Sequence, residues 1–484
     1  DEAAEEKKKK KKRVCVIGAG ASGLAVMKEV RGVGHEVRCF EANVRVGGVY
    51  AKSYDKTMLT TSSLLTAFSD YSDGKEDQPK FWTDEEYLEY LDSFAAAFGL
   101  YDAISFRSTV ERVVKNDDGT WSVTVDEGTA YVPPHRATFL LGRAADDATK
   151  QAAKRHGAQV LRDSASLLRA EEEFSYSYYD HVTGEERRME AGRIKNVKTY
   201  EFDAVCVCTG TNTHASLPVF PGQERFRGEI LHSEKYKTAE AFRGKRVLVV
   251  GAGESGSDIC NDISEAAKKV AIVVRGTHGH VIPRKQSDGR VTDLNTNRCR
   301  YSNPYIFGDW IGYVNQVAKK FVAKYFLRGT DPKERAILAK IGELNLAQKT
   351  SAFSKFGCKN EGFVTAMVLR GAELHKGAFT LDKTKAVFSD GSEFEADAVV
   401  ACTGYRNSFP FLRDVVSDPC LLENPRLQYK QIFCPLFPDG DLAFFGFARP
   451  AFGSIPPTAE MQAKFYALVL DGQRALPSTS NMQA

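Results

Sequence analysis

The chain carries one short signal twice. "RVCVIGAGASGLAVMKEV" begins at Arg13, and "KRVLVVGAGESGSDICNDI" begins at Lys245. Each reads as a strand, a glycine turn and a helix. In the first copy, Val14, Val16 and Ile17 form a buried parallel strand and Gly18, Gly20, Ser22 and Gly23 lie in the turn. Gly18 permits the tight bend, Gly20 lets the backbone approach a pyrophosphate, and Gly23 lets helix pack closely on strand. The helix N-terminus offers free N–H groups and the positive end of its dipole to phosphates. The next strand, "HEVRCFEA", ends at Glu41, 18 residues after Gly23, where a carboxylate accepts from ribose hydroxyls. A glycine turn alone is weak; with both strands, the helix and the carboxylate present it specifies a dinucleotide site.

The second copy places Gly251, Gly253, Ser255 and Gly256 in the turn, with Ser257 and Asp258 in the helix. Its following strand, "KVAIVVRG", ends in Arg275 where the first copy has a carboxylate. A cation there suits a 2′-phosphorylated ribose, hence NADP rather than NAD. Arg284 and Lys285 follow in "HVIPRK" and are candidates to share that phosphate. Two sites, 233 residues apart, imply two cofactors: FAD at the acidic site and NADPH at the basic one. A hydride donor beside a flavin makes a flavoprotein oxidoreductase.

The expected fold class is α/β, with two Rossmann-like dinucleotide-binding domains. "DAVCVCTG" (203–210) and "DAVVACTG" (397–404) both read as strands returning to a nucleotide domain, with Thr403 and Gly404 at the end of the second. On that reading the NADPH domain (226–389) is inserted into a discontinuous FAD domain (13–225 plus 390–470). Residues 130–200 read as a charged surface insertion with a helix and a hairpin. A helical insertion is expected at about 300–360, with helices over "IGYVNQVAKKFVAKYF" and "PKERAILAKIGELNLA". Residues 1–12 read as a charged, disordered tail.

Composition narrows the class further. A net charge of +3, much of its basic excess in Lys7–Arg13, gives no argument for nucleic acid. The ten cysteines include no C-x-x-C, so neither a zinc ribbon nor a redox dithiol is indicated, and no metal site is expected. Cysteines inside apolar strands point to reduced thiols and a cytoplasmic location. No apolar run is long enough to span a membrane.

The stretch "FRGEILHSEKY" spaces Phe226, Gly228, His232 and Tyr236 as F-x-G-x-x-x-H-x-x-x-Y between the two glycine turns. This resembles the fingerprint of flavin-containing monooxygenases. "RVGGVY", with Gly48, Val49 and Tyr50, is similar to that family's GG-x-W stretch; "LTTSSLLTAFSDYS", "CTGYRNSFPFL" and "FGFARPAFGSIPPTAEMQAKFYALVL" resemble its later segments. The resemblance implies a cycle in which NADPH reduces FAD, dioxygen adds at the flavin C4a carbon, and the hydroperoxide passes one oxygen to a soft nucleophile, nitrogen or sulfur. It also implies no catalytic triad, since the cofactor carries the hard chemistry. His232 reads as a structural histidine at the domain junction. One departure stands out. The family carries Asn after GG-x-W, whereas Thr60 and Thr61 occupy that place here, and they become the candidate active-site hydroxyls. Residues 60–68, 300–360 and Arg449–Pro457 are candidates to line the substrate pocket. Expected partners are a small-molecule substrate and dioxygen, with a homodimer allowed. Baeyer–Villiger, halide or carbon oxidation is the alternative chemistry. The Trp-Pro ending of the Baeyer–Villiger fingerprint is replaced by Tyr236-Lys237.

Arg275→Ala is expected to raise KM for NADPH far more than for NADH, by roughly 1.5–3 kcal/mol for a lost charge-assisted phosphate contact. Steady-state kinetics with both donors checks this; equal losses remove Arg275 from the phosphate site.

Overall fold

The computed structural model describes residues 11–71, 79–127, 196–276, 279–285, 289, 291–295, 331–347, 357–416, 418–450 and 453–483, with the backbone of four further short strands between 138 and 190. In chain order its main elements are β1 (Arg13–Ile17), α1 (Ala21–Gly32), β2 (Glu36–Phe40), α2 (Asp84–Ala97), β3 (Ile104–Ser105), β4 (Ala204–Val207), β5 (Glu229–His232), β6 (Arg246–Val250), α3 (Glu254–Ile263), β7 (Lys269–Val274), α4 (Pro332–Ala347), α5 (Gly362–Arg370), β8 (Glu373–Lys376), β9 (Ala398–Ala401), β10 (Leu442–Phe444) and α6 (Ile455–Leu470).

Two five-stranded parallel sheets organise the chain. The first has the order β10-β4-β1-β2-β3, the second β5-β9-β6-β7-β8. Both faces of each sheet are covered, so the strands read as near-continuous apolar runs. Along β1, Val14 and Val16 enter the core beneath α1, while Cys15 and Ile17 enter the opposite one. β6 divides likewise, with Val247 and Val249 on one face and Leu248 and Val250 on the other. α6 packs along α1. α2 starts at a capping box, in which Thr83 accepts from Glu86 N–H and Glu86 reaches back to the Thr83 N–H. Its Tyr87, Leu88, Tyr90, Leu91 and Phe94 form the buried face.

The expected hairpin in the insertion is present, Ser175–Asp180 pairing antiparallel with Glu185–Glu190. "PKERAILAKIGELNLA" is α4. The tail over residues 1–10, the helix expected within 143–158 and the helix expected over 311–326 lie outside the described residues.

One topological expectation is corrected. β9 hydrogen-bonds between β5 and β6, in the second sheet. The chain therefore re-enters the first sheet at β10, not at about residue 390. The two connections between the sheets meet: His214–Ala215 pairs antiparallel with Tyr405–Arg406. Ser216 N–H donates to Gly404 O (2.9 Å), and Thr403 Oγ1 donates to Ser216 O (2.5 Å).

The fingerprint glycine has a packing reason. A Cβ on Gly228 would stand 2.4 Å from Asp397 O and 2.6 Å from the Phe226 ring. Gly228→Ala is expected to destabilise the fold by about 1–3 kcal/mol through overpacking. Thermal or denaturant unfolding checks it, and an unchanged midpoint contradicts it.

Candidate active site

The two glycine turns have the same construction. Gly18 and Gly251 both have φ near +100°, where L side chains are strained. A Cβ on Gly18 would lie 2.8 Å from Cys208 O, and one on Gly251 2.6 Å from Cys402 O. Each turn thus presses on the end of the neighbouring strand whose Thr-Gly follows. Gly20 and Gly253 cap α1 and α3 in extended conformation with no side-chain cap, so the first N–H groups of both helices stay open to a ligand.

Around the first turn the fit to a dinucleotide is direct. The Gly47–Gly48 stretch closes over the turn, a Cβ on Gly48 coming 3.3 Å from the Gly20 Cα and one on Gly47 2.1 Å from Leu88 Cδ2. Gly47 N–H donates to Ala19 O (3.1 Å). Glu41 is buried and accepts from Ala19 N–H and Asn43 N–H, both at 2.7 Å. Gly446 covers Ser22 so closely that a Cβ there would stand 2.1 Å from Ser22 Oγ. Val49 is exposed, while Tyr50 packs edge-on against Tyr87 (4.9 Å), and burial pushes its phenol up to about 12.

The hydroxyl stretch divides its roles. Thr61 Oγ1 bonds Thr66 Oγ1 (2.8 Å), and Ser63 Oγ accepts from Lys80 N–H (3.2 Å). Thr61 is buried, and its bond to Thr66 uses part of its hydroxyl's capacity. Thr60 is half-buried, with no hydrogen-bond partner for its hydroxyl among the described residues. Ser62, which the sequence did not single out, is fully buried: its N–H donates to Asp293 (2.7 Å), while its Oγ meets no partner among the described residues.

The second turn departs further from expectation. Ser257 is fully buried and bonds Asn360 O (3.0 Å) and Phe363 N–H (3.1 Å), away from the turn. Asp258 accepts from Asn360 Nδ2 (2.6 Å), from Tyr54 Oη (3.1 Å) and from both terminal nitrogens of Arg284 (3.2–3.4 Å). Neither side chain is left to hold a cofactor, which leaves the turn backbone and Ser255. Arg284 is corrected as well. It is mostly buried, and it reaches Met58 O (3.3 Å) rather than a surface phosphate. Arg275 is exposed at the end of β7 and meets no carboxylate among the described residues, as a phosphate-binding cation requires.

Glu254 opens α3. Its Oε1 accepts from Lys359 N–H (2.8 Å), and its Oε2 is buried with no partner among the described residues. Burial pushes this carboxyl up to about 7. Glu254 Oε2, Arg284 Nε, Ser62 Oγ and Thr209 Oγ1 are all buried donors or acceptors without partners among the described residues, near the turns and their junction.

The fingerprint residues join the sheets rather than react. His232 is buried at the end of β5; its Nε2 donates to Gly404 O (3.0 Å) and its Nδ1 accepts from Glu234 N–H (3.2 Å). Burial lowers its pKa, so the ring is neutral and both nitrogens are used. Tyr236 Oη donates to Asp262 (2.5 Å), and Phe226 packs on the core of the second sheet. No helix among the described residues is long and apolar enough to cross a membrane.

Glu254→Gln should be stabilising above pH 7. A carboxyl raised in the folded state costs stability as pH climbs from its unfolded value near 4.5 to about 7. The variant should match wild type near pH 4.5 and exceed it by about 1–3 kcal/mol at pH 8. Melting curves across that range check it; a constant difference would refute it.

The model for the flavin-binding monooxygenase-like family matches residues 11–131 and 189–484. A 4-hydroxybenzoate brominase (decarboxylating) of Marinomonas mediterranea is 31% identical over 96% of this chain and 75% of its own length. Flavin-containing monooxygenase 5 of Oryctolagus cuniculus is also 31% identical, over 97% of this chain and 75% of its own. Among solved structures, the S-allyl-L-cysteine S-oxygenase of Allium sativum shares the fold (TM-score 0.57, 21% identity, 98% of this chain and 80% of that one). So does a cyclohexanone monooxygenase (TM-score 0.59, 18% identity, 96% and 88%). The chain belongs to the flavin-binding monooxygenase-like family, whose members use FAD and NADPH.

Proposed function

We propose that the protein consumes NADPH and dioxygen to oxygenate a soft nucleophile, nitrogen or sulfur, on a small molecule. The observation that carries this reading is the junction itself. Two glycine turns with open helix N-termini lie in halves joined through the 54–60 segment, and no redox dithiol stands among the described residues. All nine described cysteines are free, and burial holds the Cys15, Cys39, Cys206 and Cys208 thiols up, out of reach of thiolate chemistry.

The reduced flavin, when bound, supplies the activated oxygen. The chain's own residues bind, orient and keep water out. The open N–H groups of α1 and the Gly47–Gly48 stretch would hold one pyrophosphate. The open N–H groups of α3 would hold the other, and Arg275 would take the 2′-phosphate. Thr60 offers one hydroxyl to the reacting centre, where an amide would offer two donors. A second reading has its own support: the 31% likeness to the brominase favours halide oxidation through the same oxygen activation.

The test reconstitutes the protein with FAD and measures product formed per NADPH consumed, with a thioether, a tertiary amine, and bromide plus a phenol offered separately. Sulfoxide or N-oxide establishes the first reading, brominated phenol the second; peroxide alone under all three refutes both. Thr60→Asn should lower the share of NADPH consumption that ends as hydrogen peroxide severalfold. An unchanged share removes Thr60 from the reacting centre.

A further inference from the structure

Arg449 lies five residues beyond β10, on the segment whose Gly446 presses on Ser22 of the first turn. Its side chain is exposed, and one terminal nitrogen donates to Thr211 Oγ1 (3.3 Å) and Asn212 Oδ1 (3.2 Å). Those two residues follow Cys208, whose carbonyl lies against Gly18. Arg449 is thus tied on both sides to chain that touches the first glycine turn. Both anchors are neutral, and no carboxylate pairs with Arg449 among the described residues. Arg45, Arg246 and Arg284, by contrast, each meet an Asp. Of the five guanidinium N–H donors the anchors use the two on one nitrogen, leaving three in the planar fork that matches an oxyanion. Arg406 stands beside this loop, paired in register with His214, and it too meets no carboxylate among the described residues.

We propose that Arg449 is a specificity residue that receives the carboxylate of an anionic substrate, so the preferred substrate carries its soft nucleophile and a carboxylate on one small molecule. This rests on the oxygenase reading above. Anchoring to Thr211 and Asn212 fixes the guanidinium before substrate arrives, which lowers the entropy lost on binding. The charge also raises the local concentration of anionic substrate at this loop.

The test uses FAD-loaded wild type and Arg449→Gln, with 3-(methylthio)propionate and the neutral 3-(methylthio)propan-1-ol as probes. Kd is read from perturbation of the flavin absorbance, and KM from sulfoxide formation. The ratio of carboxylate Kd to alcohol Kd should rise roughly 10- to 100-fold in the variant, as loss of a charge-assisted bond implies. Arg449→Lys should recover part of it. An unchanged ratio overturns the proposal. So does a loss confined to NADPH affinity, which would give Arg449 to a cofactor phosphate instead. If wild type oxygenates neither probe, the oxygenase reading is judged by the three-substrate test above, while the absorbance titration still decides whether Arg449 selects the carboxylate.

Discussion

The Asp258 carboxylate holds the molecule's two halves in relation to each other. It sits in α3, directly behind the second glycine turn, and it receives Arg284, Asn360 and Tyr54 together. Tyr54 belongs to the segment that leaves the Gly47–Gly48 stretch and runs to the hydroxyls at 60–63. That segment is hooked onto the second half repeatedly: Asp55 N–H donates to Lys237 O, Lys56 pairs with Asp262 and Glu265, and Arg284 reaches Met58 O. Removing one partner of a buried ion pair costs about 3–5 kcal/mol, because the other charge stays behind unpaired. The course of the segment that leads to Thr60 therefore depends on contacts made several residues before it.

This arrangement suits a protein whose cofactors do the bond-making. Nothing among the described residues of the junction has the geometry of an activated nucleophile, and His232 is locked in one neutral tautomer by its two hydrogen bonds. The side chains instead fix distances. Gly228 and Gly446 show the same logic in negative form: each is a position where a single methyl group would push two segments apart.

Much of the fold was legible because its signals are local. The strand–turn–helix units, the helix from Pro332 and the hairpin at 175–190 each declare themselves through periodicity or turn chemistry within about twenty residues. The site was legible only in its backbone. Gly18, Gly20, Gly251 and Gly253 stand where the spacing put them, since glycine turns encode their own geometry. Side-chain roles were not local. Arg284 and Arg275 look alike in sequence, and only the fold shows that one faces Asp258 and the other open solvent. Strands 204–207 and 398–401 have nearly the same residues, so composition could not say which sheet each would join. That choice is made by their neighbours, β1 and β10 for one, β5 and β6 for the other. Asn360 and Asp293 carry no motif at all, and Glu254 stands at a variable position of the second glycine motif; their importance arises from burial beside other charges.

The paired strands at 214–215 and 405–406 have a mechanical consequence. Both covalent links between the sheets run through this spot, antiparallel and hydrogen-bonded to each other. Two separate tethers would let the halves slide and twist independently. A two-stranded ribbon bends across its width far more readily than it shears along its length, because sliding would break every cross-strand bond at once. The ribbon and the 54–58 segment together hold the two sheets at separate places, so the two glycine turns keep which face of one looks at which face of the other.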